Sequence, residues 1–286
     1  MKGVCSIRTL CELLGVSPSR YYAVRKGTAS ARERQDAELA VKIAEAHRRS
    51  RGTYGAPRIV AELREQGVSI GRARCARLMK AQGLRGRKKH RRKPRTTDSR
   101  DTHAPAPNRL AQQPPPTGPN QTWVTDITCV LTAEGWLYLA AIVDLWSRRV
   151  VGWSCSPTMH VSLVLDALRK ALALRRPPAG LLHHSDRGSQ YAAREYIAAL
   201  AAAGLVASMS RAGNCYDNAY IESFWSTCKS DTQLDVVVPP TRNDAQLAIF
   251  DYIETFYNPT RRHSSLGQIS PVAFENIKSR KDTKAA

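Results

Sequence analysis

Apolar positions in the first eighty residues recur at helical spacing, and beyond a proline-rich interval they switch to alternation. Ile7, Leu10, Cys11 and Leu14 share one helix face before Gly15-Val16 interrupts it. Ser17 can cap a following helix whose first turn accepts Pro18. This pair has the outline of a helix-turn-helix, with Arg20, Tyr21, Tyr22, Arg25 and Lys26 displayed on its second arm. A longer helix is predicted over 31–49. A second helix-turn-helix-like pair follows over 56–65 and 71–81, where Arg74, Arg77 and Lys80 recur every third residue as one cationic flank.

The period changes at 122–131. Trp123, Thr125, Ile127, Cys129 and Leu131 fall on one face, and Val124, Asp126, Thr128 and Val130 on the other. Two further strands, 136–144 and 149–156, follow after brief connections, which predicts an antiparallel meander. Then come a helix (160–174), a strand (181–185), a helix (189–203), a strand (205–208) and helices over 217–229 and 241–257. The expected class is α/β: a mixed sheet of three antiparallel strands, then alternating helix and strand, in the order of the ribonuclease-H-like fold.

Charge divides the chain differently from hydrophobicity. Of its net +20, residues 1–100 carry 26 Lys+Arg against 8 Asp+Glu, and the remaining 186 residues carry 18 against 16. A basic all-α front on a near-neutral body implies an arm for a polyanion and a separate working domain. Within 85–95, the cations Arg85, Arg87, Lys88, Lys89, Arg91, Arg92, Lys93 and Arg95 repel one another unless phosphate neutralises them, so an extended, partner-seeking run is expected. Six prolines between 105 and 119 mark a stiff linker. The expected domains are therefore 1–95, a linker over 96–120, and a core over 121–286 with a C-terminal helical extension from about 241. Seven cysteines without a CxxC pair point to reduced thiols in the cytoplasm, and no apolar run reaches membrane-spanning length.

Three acids stand out by position. Asp126 interrupts a core strand, where a carboxylate is costly unless something pairs it. Asp186 follows the strand end Leu181-Leu182-His183-His184-Ser185, the end at which α/β sheets build sites. Glu222 lies on a helix beside the apolar stripe Ile221, Phe224, Trp225 and Cys228 and shares its own stripe with Ser226 and Lys229. An oxygen-only set of this kind suits a hard cation, Mg2+ or Mn2+, over zinc. Asp144, also on a strand, reads as structural support. His183 and His184 could position water or phosphate, although strand-end histidines are more often satisfied by backbone.

With Asp126 and Asp186 separated by 59 residues and Asp186 and Glu222 by 35, the strings WVTDIT (123–128), YLAAIVDLWSRRVVGW (138–153), HHSDRGSQY (183–191), SMSRAGNCYDNAYIESFWSTCK (208–229) and RRHSSLGQISPVAFE (261–275) resemble bacterial insertion-sequence transposases. The match is to the second-reading-frame subunit with a retroviral-integrase-type core. It extends to TYGAPRI (53–59), with departures at Ala212, Cys228 and Gln268. The resemblance implies that Asp126, Asp186 and Glu222 are the catalytic and metal-binding triad of a DDE recombinase. They would hold two divalent ions and carry out DNA end cleavage and strand transfer. It further implies that Lys229 grips DNA near the scissile phosphate, a homo-oligomer on double-stranded DNA, an upstream first-reading-frame subunit or frameshift fusion, and a bacterial, nucleoid-associated location without membrane contact. The expected DNA contacts in the basic front are Arg20, Arg25, Arg74, Arg77, Lys80, Arg87, Lys88, Arg91 and Arg92. A non-catalytic DNA-binding regulator and a plain nuclease of the same fold are the alternatives.

Overall fold

The computed structural model describes residues 6–27, 29–87, 106–211 and 219–285. They belong to two compact units that divide between Arg87 and Lys88.

The first unit is helical throughout. Helices α1 (Ile7–Leu13) and α2 (Pro18–Arg25) open on Ser6 and Ser17, whose hydroxyls accept from the amides of Thr9 and Arg20. Helix α3 (Ala31–Arg49) starts with a capping box in which Ser30 and Glu33 satisfy each other's backbone amides. With α4 (Ala56–Glu65) and α5 (Arg72–Ala81) it encloses Ile43, Ala46, Ile59, Leu63, Cys75, Leu78 and Met79. Beyond α5 the chain folds back on this bundle. A Cβ at Gly86 would stand 2.5 Å from the Gly55 nitrogen, and the Arg87 amide donates to the Thr53 carbonyl at 3.2 Å. The first residues of the cationic run are thus fixed by the bundle rather than extended from it; residues 88–95 lie outside those described.

The second unit is a five-stranded mixed sheet, β1 (Thr122–Thr132), β2 (Gly135–Asp144), β3 (Val150–Ser156), β4 (Leu182–Ser185) and β5 (Val206–Met209), in the order β3-β2-β1-β4-β5. The first three strands are antiparallel; β4 pairs parallel with β1, and β5 with β4. Trp123, Ile127, Ala140 and Ile142 face a core shared with α6 (Val161–Arg175), α7 (Ser189–Ala192) and α8 (Arg194–Ala202). Gly152 is required there, because its Cβ would lie 2.3 Å from the Ala167 carbonyl of α6. Helices α9 (Ala219–Thr232) and α10 (Arg242–Asp251) pack on β1, and α10 on β2 as well.

Three expectations change. The helix expected over 189–203 breaks at Ala193, which is extended (φ −60°, ψ 139°). The helix expected over 241–257 widens after Asp251 into a π-helical turn, Tyr252–Tyr257. Just past that turn, buried Asn258 both accepts from the Val150 amide and donates to its carbonyl (2.9 and 3.0 Å), which fastens the segment to β3. The last part of the proline-rich interval is docked: the amides of Arg109 and Leu110 donate to Ser208 Oγ at 3.0 and 3.3 Å. The Asn120 amide likewise donates to Asp144 at 2.7 Å.

The C-terminal segment is built into the same unit. In α11 (Pro271–Ala285), Glu275 accepts a two-pronged contact from Arg175 at 2.9 Å and a third bond from Arg149 at 2.8 Å. Asp144, fully buried, accepts from the amides of Asn120, Trp146 and Ser147. It holds the β2–β3 turn, the structural part expected of it. No helix among the described residues is long and apolar enough to cross a membrane.

Candidate active site

The parallel register of β1 and β4 aligns Val124 with His184. Two residues further along each strand direction stand Asp126 and Asp186, so the alternation that turns Asp126 away from the Trp123 face brings the two acids to neighbouring positions. Asp186 is the first residue after β4, and its Oδ1 accepts from the Gly188 amide at 2.9 Å at the entrance to α7. Asp126 Oδ2 accepts from the indole N–H of Trp225 at 3.0 Å. Trp225 lies on α9, one turn after Glu222, so the helix that supplies the third acid is tied directly to the first.

The electrostatics record this proximity. Burial and the Asp186 charge push Asp126 up to about 7, against the opposing bonds from Trp225 and the Ile127 amide, with Glu222 adding to the rise. Burial also raises Asp186, opposed by the Gly188 amide, and raises Glu222. Glu222 is the outermost of the three: its side chain is exposed, and among the described residues no three His, Cys, Asp or Glu close tightly around one point. The structure therefore joins Asp126 and Asp186 as a pair, with Glu222 at its margin. Residues 212–218, which include Ala212, Asn214, Asp217 and Asn218, lie outside the described residues.

Side chains around the pair are engaged in ways the sequence left open. Lys229 donates to the Cys129 carbonyl of β1 at 2.7 Å. His183 and His184 bond to side chains: His183 Nε2 shares a bond with the Tyr196 hydroxyl at 2.7 Å while its buried Nδ1 has no partner among the described residues, and His184 lies between Ser208 and Ser210 at 2.9 and 3.1 Å. Burial pushes His183 down to about 3, which keeps it neutral. Arg261 is buried against Asp231 at 2.5 Å, and Arg262 donates to the Gln268 carbonyl, so this motif packs the C-terminal segment. Trp225 was legible only as an apolar helix position; its polar edge was the missed functional feature.

In the first unit, the expected DNA-contacting cations separate into two groups. Arg20 pairs with Glu33 at 2.7 Å, while Arg74 and Arg77 both reach Asp36 on α3, at 2.7 and 2.5 Å. Arg25 and Lys80 are exposed, with no ion pair among the described residues. Arg87 is anchored through its backbone. Lys88, Arg91 and Arg92 lie outside the described residues.

Family models match in register with these units. An HTH-like domain covers residues 33–93, and two integrase core domain models cover 116–215 and 203–271. The helix-turn-helix match thus falls on α3–α5, not on the α1–α2 pair. The fold and the integrase core matches define a polynucleotidyl transferase. The 31 kDa protein of insertion element IS600 from Shigella sonnei is 48% identical over 93% of this chain and 97% of its own length. Transposase InsF for insertion sequence IS3A of Escherichia coli K12 is 40% identical over 95% of this chain and 94% of its own. The HTLV-2 integrase catalytic core domain, solved in complex with magnesium, aligns with a TM-score of 0.45 at 18% identity over 56% of this chain and 98% of that one. The chain belongs to the insertion-sequence transposases that carry an integrase core, and it is a transposase.

Proposed function

We propose that Asp126, Asp186 and Glu222 together form the reaction centre at which this transposase cuts the ends of its element and joins them to target DNA. The observation that supports this most strongly is the Asp126–Asp186 pair on adjacent parallel strands, with Trp225 linking it to the Glu222 helix. A buried carboxylate whose affinity for protons is raised by burial and by the neighbouring Asp186 charge, among oxygen donors only, fits a hard divalent cation. Asp126, Asp186 and Glu222 would hold two such ions, Mg2+ or Mn2+, which would supply activation of an attacking oxygen and stabilisation of a leaving one.

The chain's own groups prepare this site. Trp225 holds Asp126 Oδ2 in place. The Gly188 amide holds one oxygen of Asp186 in the same manner. Glu222, on an exposed helix face, can be drawn in when cation and DNA arrive. Water is the first nucleophile, and the 3′-hydroxyl it exposes is the second. One phosphodiester replaces another, so no nucleotide energy source is needed.

The partners are duplex DNA, as element end and as target, and further copies of this chain assembled on it. A first-reading-frame subunit, separate or fused by frameshifting, completes the active form, which works on the bacterial chromosome in the cytoplasm. The test is incubation of the full-length chain with flanking terminal repeats, Mg2+ and a target plasmid. Joined products that vanish with Asp186→Asn, while DNA binding persists, support this reading. Cut ends without joining indicate a nuclease, and unchanged joining in the variant removes the acids from the mechanism.

A further inference from the structure

The cationic flank of α5 is not one surface. Arg74 and Arg77 are drawn to Asp36 on α3, and Arg74 is largely covered. Cys75, Leu78 and Met79 fill the bundle core. Arg72, Ala73, Ala76 and Lys80 remain exposed, and neither cation has an ion-pair partner among the described residues. Arg72, Ala76 and Lys80 are spaced i, i+4, i+8, so they form a single stripe along the helix, with Ala73 beside it.

We propose that this stripe, rather than the Arg74–Arg77 flank, reads base edges in the major groove of duplex DNA. The inference rests on the duplex-DNA partner proposed above but not on the chemistry. Eight residues at 1.5 Å each separate the two cations by about 12 Å, close to the width of a major groove. Each end can therefore reach one bordering phosphate strand. The alanines between them let the helix backbone approach the groove floor, where a methyl side chain can meet the thymine methyl. Charge complementarity favours the occupant: residues 1–100 carry 26 Lys+Arg against 8 Asp+Glu. Arg74 and Arg77 instead brace α5 on α3, which fixes the angle at which the stripe is presented.

The test is selection of binding sites from a random-sequence duplex pool by the full-length chain, with sequencing of the retained DNA. Wild type should enrich a defined motif. Ala76→Glu should lower that enrichment about tenfold or more, and Arg72→Ala with Lys80→Ala should weaken binding to every duplex about tenfold or more, both leaving the melting temperature unchanged. Arg77→Gln should lower the melting temperature and leave the motif the same. A Lys80→Ala form should also lose about one unit of the slope of log affinity against log salt. Failure of wild type to enrich any motif, or a motif that survives Ala76→Glu and is lost with Arg77→Gln, overturns the inference. Joining is not read, so a chain that selects a motif without transferring strands refutes the catalytic proposal alone.

Discussion

The indole nitrogen of Trp225 donates to Asp126 Oδ2 across 3.0 Å, with Glu222 one turn earlier on the same helix. An otherwise apolar packing residue thus connects two acids that are far apart in sequence. A hydrogen bond to a charged group contributes about 1.5–3 kcal/mol. Trp225→Phe keeps an aromatic ring on α9, though a smaller one, and removes the donor. Joining should slow about 10- to 100-fold, with circular dichroism unchanged. A rate equal to wild type would show that the bond does no positioning.

Asp126 sets a pH dependence whose sign can be worked out. Its folded value, about 7, lies above its unfolded one, so folding binds an extra proton. The stability this confers is complete below the unfolded value near 3.8 and disappears as pH rises through about 7. His183, pushed down to about 3, acts in the opposite sense, losing stability as pH falls below 6.5. The difference between wild type and Asp126→Asn isolates the carboxylate. The variant should gain in melting temperature relative to wild type between pH 5 and pH 8 in the absence of divalent ions. Mg2+ should narrow that gap at pH 8 and have little effect at pH 5.

Strand limits and the meander were legible because alternation reports burial directly, and α3 and α4 span the ranges 31–49 and 56–65 expected of them. The break at Ala193 left no such trace: Ala192, Ala193 and Arg194 fit a continuous helix, and packing decides otherwise. Asp126 and Asp186 were legible because each occupies a position where a carboxylate needs a reason. The partition of Arg74, Arg77 and Lys80 was not, since it depends on Asp36 approaching from a helix some forty residues earlier. The docking of 106–120 likewise depends on Ser208, about a hundred residues away.

Gly152 marks the closest approach of α6 to β3. Gly152→Ala would place a methyl 2.3 Å from the Ala167 carbonyl, and backbone cannot yield as a side chain tip can. A loss of about 1–3 kcal/mol is expected in urea unfolding. A neutral result would mean that α6 shifts freely.

Asp231 and Arg261 are a pair with only 6% and 5% of their side chains exposed, and Asp231 also accepts from the Tyr252 hydroxyl at 2.9 Å. Asp231→Ala leaves the guanidinium buried without its counter-charge and should cost about 3–5 kcal/mol. Adding Arg261→Met should recover much of that loss, which urea unfolding of both forms would check.

Whether the exposed carboxylate on α9 acts with the two on the sheet is settled most directly by calorimetric titration of Mn2+ into the full-length chain and its Glu222→Gln form. A shared centre requires binding weakened about tenfold or more, together with loss of joined DNA. Equal Mn2+ affinity and undiminished joining in the variant would place Glu222 outside the centre and contradict the proposed triad.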